Sequence, residues 1–291
     1  MKIALMTCDA FPHGDTDDQV LLEAFSVFDV QAQFCVWDAD DDWSDYDACL
    51  LRSVWDYHKR SEAFNSWLEK VTSLTQLLNP IEVIRWNSRK TYLRDMANTG
   101  ITIAPTHWLT ANQTYDIKQL VSISNADQWF LKPTIGADSI GTCRFKRDAK
   151  GFEKARHHLT KWLPKCDMML QPYLQSVETF GETSAIFIAG QLSHAVRKIP
   201  QAGDYRVQDT FGAEDRAYQL TPHELTLAQQ SMAYLTAKFG GLLYARLDFL
   251  HNANGGVYLN EAELIEPSLF FNHSKTAALT LAKKTLTYIK K

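Results

Sequence analysis

YARLDFLHNANGGVYLNEAELIEPS, residues 244–268, sets two apolar, β-prone runs on either side of HNANGG, a loop rich in Asn and Gly. That arrangement predicts an antiparallel hairpin. Its second arm carries Glu261, Glu263 and Glu266, although strands are depleted in Glu and like charges on one sheet face repel. Pairing Leu250 with Val257 sets Asp248 opposite Leu259, Arg246 opposite Glu261 and Tyr244 opposite Glu263. Opposed residues share a face, as do residues two apart along a strand, so Arg246, Asp248, Glu261 and Glu263 are expected on one surface. Carboxylates gathered there repel unless something positive stands among them. Mg²⁺ suits that place, because it takes hard oxygen ligands and keeps positions for water and nucleotide phosphates. A solvated, charged strand is the alternative that this segment leaves open.

The rest of the chain sets the frame. With 291 residues, of which 45% are hydrophobic and 22% charged, it can bury a sizeable core and build two or three subdomains. A net charge of -4 and a pI near 6.1 argue against coating a nucleic acid, which needs clustered Lys and Arg. Small-molecule partners are expected instead. Cys8, Cys35, Cys49, Cys143 and Cys166 form no close pairs, and their odd number fits a reducing cytoplasm better than a bridged secreted framework. MKIALMTC is too short for a signal peptide, and no run approaches the ~20 apolar residues of a membrane helix.

KIALMTC, QVLLEAFSVF, QFCVWD and DACLLRS alternate as strand, helix, strand, strand, which suggests a doubly wound α/β unit. Ligands of such units sit beyond the carboxyl ends of the strands, where Asp15, Asp17, Asp18, Arg52, Ser53, Trp55, Asp56 and Tyr57 fall. Capping and packing are the plainer roles for each of these residues. SEAFNSWLEKVTSL and SRKTYLRDMANTG read as helices, with Gly100 as a stop and a domain boundary near it. Beyond it, ITIAPT and QWFLKP read as strands, TSAIFIAGQLSHAVRK as a hairpin, and PHELTLAQQSMAYLTAKFG as an amphipathic helix burying Leu225, Ala228, Met232, Leu235 and Phe239.

Phosphate chemistry has several candidate sources. FLKPTIGADSIGT places Lys132 at a strand end before Gly136 and Gly141, whose backbone N–H groups can approach phosphate. Thr142 follows the second glycine, so this is not a P-loop, and the first strand leads into no G-x-G-x-x-G. QPYLQSVETFGETS can present backbone groups to an adenine edge, with Glu178 or Glu182 for ribose hydroxyls, or be a plain linker. Arg197, Lys198 and Arg206 add cations that are otherwise solvated.

Lys90, Lys132, GADSIG, QPYL, GE, RK, ARLD and NEAE stand in an order that resembles the ATP-grasp superfamily, particularly its glutathione synthetase and D-alanine:D-alanine ligase branches. The resemblance spans roughly residues 85–270. A finer one, through RSVWDYH, NPIEVIRWNSRKTYLRD, LQPYLQSVETFGETS, SHAVRK and ELIEPSLF, is to the cyclo-ligase that closes O-ureido-serine to cycloserine. The resemblance implies an ATP-grasp fold of α/β class: an N-terminal doubly wound α/β domain over 1–100, a central lid over 101–174, and a C-terminal domain with the metal hairpin over 175–291.

It also implies roles. Lys90 and Lys132 match the nucleotide-phosphate lysines; Gln171, Tyr173 and Leu174 the adenine hinge; Glu182 the ribose acid; and Asp248, Glu261 and Glu263 the metal ligands. The third ligand is Asn in both comparison branches, which leaves the number of ions open. Arg246 matches an arginine that steadies the transferring phosphoryl group, and Arg197 one that touches phosphate or substrate. Arg52, Asp56 and Arg206 are the candidate substrate contacts, Arg52 for a carboxylate and Asp56 for an amino or ureido group. ATP with Mg²⁺ or Mn²⁺, an amino-acid or peptide-like substrate, and a homodimer complete the expectation. The implied enzyme is an ATP-dependent carboxylate–amine ligase or cyclo-ligase forming ADP and phosphate; a nucleotide-binding sensor or scaffold is the alternative.

Overall fold

The computed structural model describes residues 1–136, 139–252 and 254–289. Ala137 and Asp138 of the expected glycine loop and Ala253 of the expected hairpin turn lie outside them. The chain begins as its strand–helix alternation requires, with β1 (Lys2–Thr7), α1 (Val20–Ser26), β2 (Gln31–Val36), β3 (Ala48–Ser53), α2 (Ser61–Leu74) and β4 (Gln76–Leu78). The four strands form a parallel sheet in the order β2-β1-β3-β4. β1 and β3 are buried along nearly their whole length, as strands covered on both faces must be.

Two short helices follow, α3 (Ile81–Asn87) and α4 (Tyr92–Ala97). The helix expected over SRKTYLRDMANTG is therefore confined to its middle, and α3, which periodicity over so few residues does not reveal, starts directly after Pro80.

The next sheet is built from β5 (His107–Leu109), then, after α5 (Ile117–Leu120), β6 (Gln128–Pro133), β7 (Cys143–Lys146) and, after α6 (Ala149–Trp162), β8 (Met168–Pro172). Its antiparallel order is β5-β8-β6-β7, and Ala155 and Leu159 of α6 close a core over Trp129, Leu131, Met168 and Leu170. Asp148 caps α6 by accepting from Gly151 N. ITIAPT is not a strand: it makes one bridge, Ile103 to Leu259, and the ladder starts only beyond Pro105, which has no N–H to give.

α7 (Ser176–Thr179) leads to the third sheet, formed by β9 (Glu182–Ile188), β10 (Gln191–Ile199), β11 (Glu214–Tyr218), β12 (Tyr244–His251) and β13 (Val257–Glu263) in the antiparallel order β11-β10-β9-β12-β13. α8 (Pro222–Phe239) precedes β12 and α9 (Ala277–Ile289) ends the described chain. α8 starts on a Thr221–Glu224 capping box and buries Leu227, Ala228, Met232 and Leu235. Leu225 and Phe239, expected on that face, are only partly buried, because Leu227 takes the inward position.

The two faces of this third sheet have different tasks. Ala185, Phe187, Leu247 and Phe249 pack with α8 residues in one core. On the other face, Ile186, Ile188 and Tyr244 pack with β1, β3, α1 and α9 in another. That second core covers only part of its face. Glu182, Arg246 and Asp248 continue along it into a cavity of about 460 Å³, lined by residues of the second and third sheets and of the loops after β1 and β3.

β13 is an edge strand whose free backbone groups are met by side chains from residues 79–92. Asn87 Nδ2 donates to Ala262 O (2.7 Å) and its Oδ1 accepts from Leu264 N (2.9 Å), while Tyr92 Oη accepts from Ala262 N (2.9 Å). Asn79 Nδ2 donates to Leu264 O (2.9 Å) and Tyr244 O (3.0 Å). An uncovered edge would be open to pairing with another chain, so these contacts give NPIEVIRWNSRKTY a structural purpose.

Candidate active site

The hairpin has the expected faces but a different register. Arg246 stands opposite Glu263 and Asp248 opposite Glu261, while Phe249 stands opposite Leu259. Asn260 is the extra residue, a β-bulge between Leu259 and Glu261. Regular alternation would turn either Asn260 or Glu261 into the α8 core; the bulge lets both reach the cavity side while Leu259 and Ala262 stay buried in that core.

Charges there are arranged in pairs. Lys90, next to the start of α4, forms an ion pair with Glu261. Arg246 pairs with Asp248 through Nη2 at 2.9 Å and with Glu263. Lys198 bridges Glu182 (2.5 Å) and Asp248 (3.2 Å). Burial disfavours the Asp248 carboxylate, yet Arg246 and Lys198 hold it well below the usual range. Burial also works against Glu261, and Lys90 and Lys132 keep it low. Glu263 goes the other way: burial, reinforced by Asp248 and Glu261, pushes it up to about 7 despite Arg246. Lys132, on β6, is pushed down to about 8 by burial and by Lys90, and its Nζ lies 3.5 Å from Asn260 Oδ1.

Opposite the hairpin, β8 and the segment after it supply Gln171, Tyr173 and Leu174 to the cavity wall. Tyr173 Oη donates to Glu178 (2.7 Å), and Arg144 pairs with Glu178 and lies 3.9 Å from the Tyr173 ring centroid. Of the two glutamates considered for ribose, Glu182 is the one lining the cavity, and Asn260 Nδ2 donates to it at 2.6 Å. Gly181 before it has φ +95°, and a Cβ there would stand 2.1 Å from Lys198 O. Gly181→Ala is therefore expected to lower stability by at least about 1 kcal/mol and to displace the Glu182–Lys198 pair, read as a lower unfolding midpoint in urea. An unchanged midpoint counts against this close approach.

Three expected site residues stand elsewhere. Arg197 faces the α8 side, over the Phe180 ring (4.9 Å), and Lys198 takes the cavity position. A regular ladder from the Ile188–Gln191 turn would set Arg197 opposite Glu182; a bulge at Ser193 shifts the pairing so that Lys198 stands there. Arg52 is buried, not presented to the cavity: its Nε and Nη2 donate to Asp18 Oδ1 (3.0 and 2.8 Å), and Nη2 also donates to Pro267 O (2.9 Å). Asp56 accepts from Trp37 Nε1 (2.8 Å) and Arg60 (3.1 Å), and Tyr57 and Trp55 face the cavity in its place. Arg206 does line the cavity, pairing with Asp204 at 2.6 Å, beside Tyr205, whose ring meets those of Phe130 and Tyr173 edge-on. Asp17 caps the turn at Phe271 and Asn272. Glu266 also lines the cavity, although the sequence reading gave it no role.

A lysine pair, an acidic hairpin and the Gln171–Leu174 strand end now stand around one cavity between two antiparallel sheets. The family model for the prokaryotic glutathione synthetase ATP-grasp domain matches residues 96–271. The chain belongs to the ATP-grasp family. A second model, for the N-terminal domain of D-cycloserine synthetase DcsG, matches residues 3–79. Cycloserine biosynthesis protein DcsG of Streptomyces lavendulae is 30% identical over 300 residues, covering 97% of this chain and 96% of that protein. The crystal structure of D-cycloserine synthetase DcsG superposes with a TM-score of 0.88 at 28% identity, covering 99% and 100% of the two chains. D-alanine–D-alanine ligase from Bacillus anthracis shares the fold alone, at 15% identity and a TM-score of 0.68 over 100% and 99%. The chain is an ATP-dependent ligase of the ATP-grasp type; the sensor or scaffold alternative is not supported. Among the described residues, no helix is long and apolar enough to cross a membrane.

ATP-grasp enzymes use divalent metal, and the donor set here can be tested for it. Among the described residues, no three acidic, His or Cys side chains are close enough to hold an ion alone. Six carboxylates nevertheless share the cavity with five cations, so an anionic triphosphate would enter a site already rich in negative charge. The set fits a metal bound jointly with phosphate oxygens.

Proposed function

We propose that this ligase activates a substrate carboxylate as an acyl phosphate, releasing ADP, and that a nitrogen nucleophile then displaces phosphate. The observation that carries the reading is the meeting of Lys90, Lys132, Lys198 and Arg246 with Asp248, Asn260, Glu261 and Glu263 at one end of the cavity. The three lysines suit the triphosphate, as point charges with three donors each. Arg246 suits the transferring phosphoryl group and the oxyanion of the tetrahedral intermediate, which needs positive charge placed before it forms. Asp248, Glu261 and Glu263 are the proposed ligands of Mg²⁺, or Mn²⁺, which would neutralise phosphate charge. Gln171, Tyr173 and Leu174 are assigned to adenine, Glu182 to ribose, and Arg206 to the substrate.

The reading further divides the chain into 1–100, 101–174 and 175–291, with ATP between the last two. Since the similar Streptomyces protein acts in cycloserine biosynthesis, the proposed substrate class is an amino-acid derivative, such as a ureido amino acid, that closes on its own carboxylate. Phe11, Trp55, Tyr57 and Ser268 would then enclose it.

Lys132→Ala is expected to weaken ATP binding by roughly 10- to 100-fold, the worth of one charge-assisted phosphate contact. Calorimetric affinity equal to wild type in a folded variant would remove Lys132 from the site. The reaction itself is tested by measuring ADP and phosphate with a panel of amino acids, dipeptides and ureido amino acids, with hydroxylamine present. Hydroxamate marks an acyl phosphate. ADP formation without it points to a kinase that stops at another phosphorylated group and overturns the ligation step.

A further inference from the structure

At the end of the cavity assigned to the base, a hydrogen-bond chain has a polarity that chemistry permits in one direction only. Gln171 is buried on β8 and faces the cavity. Thr106 stands next to it, one residue beyond the paired end of β5, where His107 lies opposite Leu170. Thr106 Oγ1 is 2.7 Å from Ala104 O and 2.8 Å from the Gln171 side-chain nitrogen. A carbonyl oxygen only accepts, so the single hydrogen of the hydroxyl is committed to Ala104. Toward Gln171 the hydroxyl offers only a lone pair. The amide must therefore turn Nε2 to Thr106, which leaves Oε1 as the end available to a ligand; among the described residues it accepts no hydrogen bond.

We propose that Thr106 is the positioning residue that makes this site select a 6-aminopurine nucleotide. It holds the Gln171 amide with its oxygen toward the base, where an acceptor matches the 6-amino group of adenine. The 6-oxo group of hypoxanthine or guanine would face that oxygen with no hydrogen between them, and a buried acceptor left without a donor is costly. Without Thr106 the amide can rotate half a turn and offer N–H to a 6-oxo group, so selectivity would be lost while the phosphate contacts remain. This rests on reading the cavity as a nucleotide site with Gln171 at the base.

The test compares ATP with ITP, which changes the 6-amino group to 6-oxo, turns N1 from acceptor to N–H donor, and leaves the ribose and phosphates intact. Dissociation constants for both, with Mg²⁺, are measured by calorimetry on the full chain as wild type, Thr106→Val and Thr106→Ser, with thermal melting as a separate check on folding. Wild type is expected to prefer ATP by roughly tenfold or more, about the worth of one matched buried hydrogen bond. Thr106→Val should bring the two nucleotides within about threefold, partly by tightening ITP, because an unpinned amide serves either base. Thr106→Ser, which keeps the hydroxyl, should retain the wild-type ratio. A folded Thr106→Val with the wild-type ratio overturns the proposal, as does a wild type that binds ATP and ITP equally; in both cases the nucleotide site itself survives. A wild type that binds neither nucleotide overturns the reading beneath it as well.

Discussion

Glu261→Gln is expected to lower turnover by roughly a hundredfold or more while the protein still folds, since it removes a charge from the side chain proposed to hold metal beside the phosphates. The substitution keeps the shape of the residue and its place after the Asn260 bulge, so packing against the α8 core through Leu259 and Ala262 is undisturbed. It also frees Lys90, whose ion pair with Glu261 is present without nucleotide. Glu263→Asn is the contrast. Of the three proposed ligands Glu263 is the one whose charge the site tolerates least, being pushed up to about 7 by burial and by its acidic neighbours, so exchanging it for a neutral oxygen donor should leave measurable turnover with an altered Mg²⁺ requirement. ADP release measured over a Mg²⁺ series reads both. Wild-type activity in the two variants alike would take the hairpin out of the chemistry.

Arg52→Met is expected to destabilise the protein by about 3–5 kcal/mol near pH 8, because it strands Asp18 as a buried, unpaired charge. Burial already pushes Asp18 from 3.8 up to about 6 against the pull of Arg52. A carboxyl whose folded value lies above its unfolded one resists ionisation in the folded state, so its penalty is absent below the unfolded value and grows as pH rises through the folded one. Without Arg52 the folded value rises further, and the penalty of the variant should be much smaller near pH 4 than near pH 8. Asp18→Leu added to Arg52→Met should recover much of the loss. Urea unfolding at the two pH values measures it, and a pH-independent penalty would show that lost packing, not charge, was responsible. Arg52 also donates to Pro267 O, and Trp55 Nε1 donates to Glu266 O (3.1 Å), so the same pair helps hold the residues after β13 against the cavity.

What could be read from the sequence follows from what repeats regularly. The continuous apolar runs of β1 and β3, the alternation of the hairpin and the 3.6-residue period of α8 are regular signals, and each of these elements forms where it was expected. Ordered pairs of motifs brought Lys90 and Lys132 to the hairpin although 129 or more positions separate either from Glu261. The misreadings share a cause. At Ser193 and at Asn260 one strand carries an extra residue, and nothing in SHAVRK or YLNEAE announces it. The first exchanged Arg197 for Lys198 at the cavity; the second adds one place to a pairing already moved one place at the turn, where His251 and not Leu250 stands opposite Val257, and the two shifts together return the same four side chains to one face. Arg52 was misplaced for another reason: a strand-end arginine can point to a ligand or to a carboxylate beyond the end of the neighbouring strand, here β1, and only the packed structure sets Asp18 within 2.8 Å.

The edge of β13 bears on the order in which the molecule can be completed. The side chains that satisfy it belong to residues 170 to 185 positions earlier in the chain, so they have been synthesised long before the hairpin itself. Domains fold largely in the order they emerge during synthesis. The acidic strand therefore arrives late, with α9 still to follow, at a berth whose Asn and Tyr hooks precede it in the chain, and its carboxylates meet lysines that were made before them. A chain permuted to begin at residue 175 would reverse that sequence of events, producing the strand with its outer edge bare and waiting for residues 79–92 to be made.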